Sequence, residues 1–211
     1  MDLLHRSWGS MTADRAAAYL KTYGAPAESS KRLLLEVLRE SSTRKCPSVL
    51  DLGCGNAQLL EYFCAEGYEC NYTGVDISTP LLDAARAASP PSAEAQFVAG
   101  DVNSGEGISG HFDFAVYSHV LEILSSPEGS LQAAKELADK IVIRFFEPPD
   151  GDVDIAEVRN MEVGDGTLVP YLRRSMSRDY YRLILSKLEC TRVDVYLDDS
   201  TDQVHVLHFE R

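Results

Sequence analysis

Residues 51–57, "DLGCGNA", put a carboxylate and two glycines into a D-x-G-x-G-x-A pattern. Such a turn at the end of a buried strand lets a ligand approach the backbone closely. The exposed amides and the helix that follows favour an anionic group there. Asp51 lies just before the glycines, a poor neighbour for a pyrophosphate but a suitable one for a ligand carrying an ammonium group. A nicotinamide-binding turn would read G-x-G-x-x-G, and Gln58 occupies the place of its third glycine. Asp76, in "GVDIS", ends the next apolar run about twenty residues on, where a carboxylate can accept both hydroxyls of a ribose. Asp101, in "FVAGD", ends a third run and could receive an adenine amino group. Any one strand-end aspartate could simply close a turn or cap a helix. Three in register with a glycine turn point to a nucleoside-bearing ligand.

His119, in "YSHVLEIL", follows a fourth apolar run. An imidazole titrates near neutrality and can take a hydroxyl or ammonium proton, so His119 is the candidate general base. The competing reading is that it packs against the ligand or starts a helix. Glu122, in the same segment, is not a metal site by itself, and no metal is expected.

These residues need a scaffold that brings strand ends to one rim. From Ser48 on, short apolar runs alternate with helical patterns: "SVLDLG", "CNYTGVDI", "AQFVAGD", "FDFAVYS" and "KIVIRFF" read as strands with helices between them. That alternation predicts a parallel sheet covered on both faces. Residues 1–45 read as a helical cap, with Ser10 or Thr12 as an N-cap and an amphipathic "ESSKRLLLEVLRESS". Residues 148–175 break the rhythm with three prolines and a "GDG" turn, and read as an inserted hairpin or lid. "SRDYYRLILSKLE" returns to helix. The segments "CTRVDVYLD" and "DQVHVLHFE" are joined closely enough to predict an antiparallel hairpin at 190–210, which with the preceding helix makes up residues 176–211.

"VLDLGCGNA", "GVDIS", "FVAGD" and "FDFAVYSHVLEIL" together resemble the first four motifs of the class I S-adenosylmethionine-dependent methyltransferases, specifically between residues 48 and 124. The resemblance implies a Rossmann-like α/β fold: a seven-stranded, mostly parallel sheet with an antiparallel C-terminal hairpin. It implies S-adenosyl-L-methionine as cofactor, with the methionine moiety at Gly53, Cys54 and Gly55 and its amino group near Asp51. Asp76 with Ile77 would hold the ribose, Asp101 with Val102 the adenine, and Ser118 completes the set. The family's third motif glycine is Ala57 here. Ile123 replaces the last histidine of the "HVLEH" segment of ubiquinone-type relatives. "EPPD" at 147–150 lacks the asparagine and the aromatic residue of an Asn-Pro-Pro-Tyr motif, which argues against a DNA or glutamine methyltransferase.

The totals narrow the partners. The chain has 211 residues, 45% of them hydrophobic and 25% charged, as expected for one globular domain. The net charge of −13 opposes nucleic-acid binding. No apolar run is long enough for a membrane span, and the start does not read as a secretory signal. Five cysteines without a C-x-x-C pair suit reduced thiols, so a cytoplasmic location is expected. The expectation is one domain: a cap (1–45), a cofactor-binding core (46–147), a lid (148–175) and a C-terminal helix and hairpin. Its reaction is methyl transfer to a small molecule, with oxygen slightly favoured over nitrogen. The alternatives are a protein side-chain or terminus methyltransferase and a non-catalytic cofactor-binding subunit of a partner enzyme.

Three further features leave alternatives open. Arg144 interrupts a central strand and needs a partner, Glu147 or a neighbouring carboxylate; otherwise it points into the pocket and holds an anionic substrate. Arg173, Arg174, Arg178 and Arg182 read first as a solvated face. Tyr19 and Tyr23, four apart, read first as a core stripe, and with Trp8 as pocket liners in the alternative.

Overall fold

The computed structural model describes residues 3–23, 28–91, 93–105, 107–162, 166–197 and 202–210. Two short helical turns (Leu3–Ser7 and Trp8–Ser10) lead into helices α1 (Ala13–Tyr23) and α2 (Glu28–Ser41). Thr12 caps α1, its Oγ1 accepting from the Arg15 N–H at 3.3 Å. The core then alternates β1 (Ser48–Leu52), α3 (Gln58–Ala65), β2 (Asn71–Asp76), α4 (Thr79–Ala88), β3 (Ala95–Ala99), β4 (Phe112–Ser118), α5 (Pro127–Leu137) and β5 (Ala138–Phe145). After it come β6 (Ile155–Glu162), β7 (Leu168–Ser175), α6 (Arg178–Lys187), β8 (Cys190–Leu197) and β9 (Gln203–Phe209).

The seven-stranded sheet has the order β3-β2-β1-β4-β5-β9-β8. Strands β1 to β5 are parallel, and β9 runs antiparallel to both β5 and β8. The order reverses beside β1, so a crevice opens there beyond the carboxyl ends of β1 and β4. Central strands are apolar on both faces. Leu50, Tyr117 and Ile143 face one cluster, while Val49, Val116 and Val142 face a second cluster that α2 covers with Leu34, Leu35 and Leu38. This is why "VLDL" and "IVIRFF" carry so few polar residues.

The insert read as a hairpin or lid is, over its described residues, β6 paired antiparallel to β7 as a separate two-stranded sheet. Its turn end lies against the N-terminal helices, where Met161 packs on the cluster of Met11, Ala16 and Leu81. The "GDG" turn lies largely outside the described residues, since 163–165 are not among them. Among the described residues, no helix is long and apolar enough to cross a membrane.

Candidate active site

The glycine turn is built by two backbone requirements. Gly53 has φ +78°, and its N–H and that of Cys54 both donate to the Val75 carbonyl, at 2.8 and 3.0 Å. A Cβ on Gly53 would stand 2.6 Å from Val120 Cγ2, so this position excludes any side chain. Gly55 has φ +55°, and a Cβ there would meet nothing within 4 Å, because it would project into an open cradle. Ala57 also holds a left-handed conformation, φ +58°, as the N-cap of α3. An alanine there carries a steric cost that the family's glycine avoids.

The acidic residues are held differently from one another. Asp51 is 2% exposed and accepts a 2.5 Å hydrogen bond from the Tyr72 hydroxyl. Burial pushes its carboxyl up from 3.8 to about 6, against the Tyr72 bond, which pulls the other way. A cation nearby would reverse that penalty, as the sequence suggested for an ammonium-bearing ligand. Asp76 receives the Gly55 N–H at 2.9 Å and the Ser78 N–H at 2.8 Å, and burial again raises its carboxyl. Each oxygen keeps accepting capacity for a ribose hydroxyl. Asp101 instead folds onto its own turn, accepting from Asn103 N at 2.8 Å and Nδ2 at 3.1 Å. It lies outside the cavity wall, 3.8 Å from His5 Nδ1.

A cavity of about 290 Å³ opens above these groups. Asp51, Gly53, Cys54, Gly55, Asp76 and Ile77 line it, with Val102, Ser118 and His119 from the far side. Cys54 packs inward, and burial raises its thiol well above the usual range. Trp8 and Tyr19 also line the wall and meet edge to face at 5.4 Å, while packing on the Met11, Ala16 and Leu81 cluster, so they serve pocket and core together. The Tyr23 side chain lies outside the described residues.

The fourth wall holds charges in contact with one another. His119, with φ +60°, donates its backbone N–H to the Arg144 carbonyl at 3.0 Å. Its Nε2 lies 2.8 Å from Asp202 Oδ2. Arg144 Nε lies 3.3 Å from the same carboxylate, and Arg144 also contacts both ring nitrogens, at 3.0 and 3.1 Å. Arg144 therefore takes Asp202 as its partner and not Glu147, which accepts from Ser175 Oγ at 2.9 Å and pairs with Arg173 at 3.3 Å. The arginine group likewise departs from a simple solvated face. Arg173 and Arg174 are largely buried and paired with Glu147 and Asp154. The exposed Arg178 and Arg182 pair with Asp152 and Asp179.

Three residues of the site were not singled out from the sequence. Lys31, on α2, is buried, lines the cavity and donates to Gln58 Oε1 at 2.9 Å. Burial first, then Arg144, brings its ammonium down to about 8. Its spacing from Leu34, Leu35 and Leu38 places it on the helix's buried face, a signal present in the sequence. Tyr72 and Asp202 left no comparable trace.

The residues present fit a nucleoside sulfonium cofactor. The cradle at Gly55 is open, Asp51 is a buried carboxylate awaiting positive charge, and the buried Trp8 Nε1 has no hydrogen-bond partner among the described residues. Comparison with known proteins agrees. Residues 49–140 match the family model described as a methyltransferase domain. A Mycobacterium tuberculosis protein provisionally named a methyltransferase is 41% identical over 51 residues, 24% of this chain; the matched segment spans 31% of that relative's length. The structure of DhpI with S-adenosylhomocysteine is similar at a TM-score of 0.73 and 18% identity, covering 99% of this chain and 98% of that one. The CcbJ methyltransferase from Streptomyces caelestis is similar at 0.67 and 16% identity, covering 95% and 99%. Residues 49–140, which carry the glycine turn and the strand-end carboxylates, are thus a methyltransferase domain, set in a sheet whose fold is that of S-adenosylmethionine-dependent methyltransferases.

Proposed function

We propose that this protein transfers a methyl group from S-adenosylmethionine to a small-molecule acceptor in the cytoplasm. It does so as a single domain whose β6–β7 hairpin serves as the lid. The observation that carries this reading is the one cavity in which Asp51, the Gly53–Gly55 turn, Asp76 and His119 converge. When bound, the cofactor supplies an activated methyl on a sulfonium, so the protein's task is positioning and, where needed, proton removal. The Gly53–Gly55 turn and Asp51 would hold the methionine end, Asp76 and Ile77 the ribose, and Val102 the base, with Asp101 acting from the rim. Trp8 and Tyr19 close the cavity from the N-terminal side and exclude water. His119 faces the acceptor as the candidate base, which is the ground for favouring oxygen slightly over nitrogen. Lys31 and Arg144 on the same wall favour an acceptor with an anionic group. Two of the similar folds are named as a glycopeptide N-methyltransferase and a magnesium protoporphyrin IX methyltransferase, names that favour a discrete molecule over a macromolecule as acceptor.

The test is thermal unfolding with S-adenosylmethionine, S-adenosylhomocysteine and NAD, for the protein and for Asp76→Ala. Ligand at about a hundred times its dissociation constant adds roughly 2.7 kcal/mol, which raises the midpoint of a chain this size by roughly 5–10 °C. The expected result is a shift with both sulfur nucleotides that Asp76→Ala loses. A shift with NAD alone sinks the proposal.

One observation favours a second reading. Phe146, Val153, Ile155, Val158 and Leu168, on or beside the hairpin, are exposed apolar residues. A subunit that binds the cofactor for a partner enzyme would present such a face. Tight cofactor binding without turnover on any acceptor supports that reading.

A further inference from the structure

We propose that Asp202 and Arg144 are positioning residues that hold His119 as a single tautomer, with the proton on Nε2 and the lone pair on Nδ1. Asp202 comes from the segment that enters β9. Because β9 is antiparallel to β5 and pairs Val204 with Arg144, that segment arrives at the carboxyl end of β5, beside the cavity. The His119 backbone is pinned there as well, through its N–H to the Arg144 carbonyl. Its left-handed φ of +60° is sparsely populated for a non-glycine residue and persists only where surrounding contacts fix it.

The tautomer follows from counting hydrogens. A neutral imidazole has one N–H and one lone pair; a carboxylate only accepts, and a guanidinium only donates. Nε2, 2.8 Å from Asp202 Oδ2, must carry the proton. Arg144 Nη2–H then supplies Nδ1 at 3.1 Å, while Arg144 Nε, 3.3 Å from the same carboxylate and 3.0 Å from Nε2, is the one donor this tautomer sets beside another N–H. The opposite tautomer satisfies Arg144 Nε but sets N–H against N–H at Nδ1 and a lone pair against the carboxylate at 2.8 Å, two repulsive contacts against one. The Arg144 and Asp202 side chains are only 7% and 6% exposed, so water does little to weaken that choice. The His119 side chain is 31% exposed and lines the cavity. Nδ1 is thus the one ring atom that can take a proton from a bound acceptor, by exchanging Arg144 Nη2 for the acceptor's hydroxyl. The proton leaving the acceptor oxygen would sit on Nδ1, with Asp202 offsetting the imidazolium from the other nitrogen. Only this last consequence rests on the methyl-transfer reading.

The test uses the full chain labelled with nitrogen-15 at histidine, free of cofactor, at about pH 8, where imidazoles are in general neutral. Long-range proton–nitrogen correlation spectra distinguish the two tautomers, and His119→Gln identifies the His119 signals among those of five histidines. The expected spectrum shows His119 with Nε2 protonated and Nδ1 bare. Asp202→Ala is expected to yield a mixture, and Asp202→Asn, whose amide oxygen still accepts, to restore the single form. A His119 protonated at Nδ1, or an averaged signal in the unmutated protein, overturns the proposal. So does an Asp202→Ala spectrum identical to the unmutated one. If Asp202→Ala does not fold, the unmutated protein and Asp202→Asn still decide the matter. Neither cofactor nor acceptor is present, so failure here leaves the methyl-transfer reading intact, and a failed cofactor shift leaves the tautomer intact.

Discussion

Arg144 and Phe145 are consecutive in β5 and project to opposite faces of the sheet, and each meets a histidine. Arg144 meets His119 beside the cavity, with Asp202 completing a charged group. Phe145 meets His205 on the packed side, ring to ring at 5.1 Å. The partners of His205 are neutral: the Tyr181 hydroxyl at 3.0 Å from Nδ1 and Gln203 Oε1 at 3.1 Å from Nε2. Burial pushes His205 down from 6.5 to about 4, so it stays uncharged and serves packing. The two sites share a residue type and a strand; partners and exposure separate a cavity-lining imidazole held by charged groups from one that only fills space.

The largest effect expected from separating the two sides comes at Phe145→Ala. Phe145 is fully buried, and its loss should cost about 3–5 kcal/mol in urea unfolding. The affinity of the remaining folded protein for S-adenosylhomocysteine, read by calorimetry, should be unchanged. A parallel collapse in affinity would show that the packed side also shapes the cavity.

Next in size is a pH effect. Unfolded His205 takes up a proton below about 6.5, and the folded site refuses it down to about 4. Its share of stability is therefore intact above 6.5 and lost as pH falls toward 4, to a total of about 3 kcal/mol. Asp51 acts in the opposite sense: its raised carboxyl stabilises the fold below 3.8, and that contribution is lost as pH rises through about 6. The measurement is therefore the difference in urea midpoint between the protein and His205→Gln across pH 4–7. A flat difference would mean that His205 is not held neutral.

The smallest effect belongs to His119→Gln. This half-exposed side chain makes hydrogen bonds but fills no core, so unfolding should change by about 1 kcal/mol or less. A loss as large as that at Phe145 would make His119 a packing residue and erase the contrast.

The contrast also marks how far the sequence could be read. Alternating strands and helices, the antiparallel finish and the glycine turn were legible because periodicity and turn chemistry are local. Asp51, Asp76 and His119 were placed together at the cavity because each stands at or next to the end of a strand, and parallel strands bring their carboxyl ends to one rim. The partner of Arg144 was not legible. Glu147 stands three residues away in the chain, whereas Asp202 stands 58 away and reaches Arg144 only through the pairing of β5 with β9. Asp101 follows β3 by two residues, and what the sequence did not disclose is that Asn103 takes up one of its oxygens. Lys31 was legible in principle, since a lysine spaced with leucines must face the core.

The pairing that delivers Asp202 also sets an order of events during synthesis. Strand β5 leaves the ribosome with one neighbour, β4, and its other edge stays bare until β9 follows. Through the intervening translation the nascent sheet offers an apolar, unpaired edge of the kind that recruits other chains. The same closing strand that covers this edge brings in the carboxylate beside His119. Cover for this edge and delivery of Asp202 to His119 therefore arrive in a single step, and a ribosome stalled before Asp202 holds a chain that has neither.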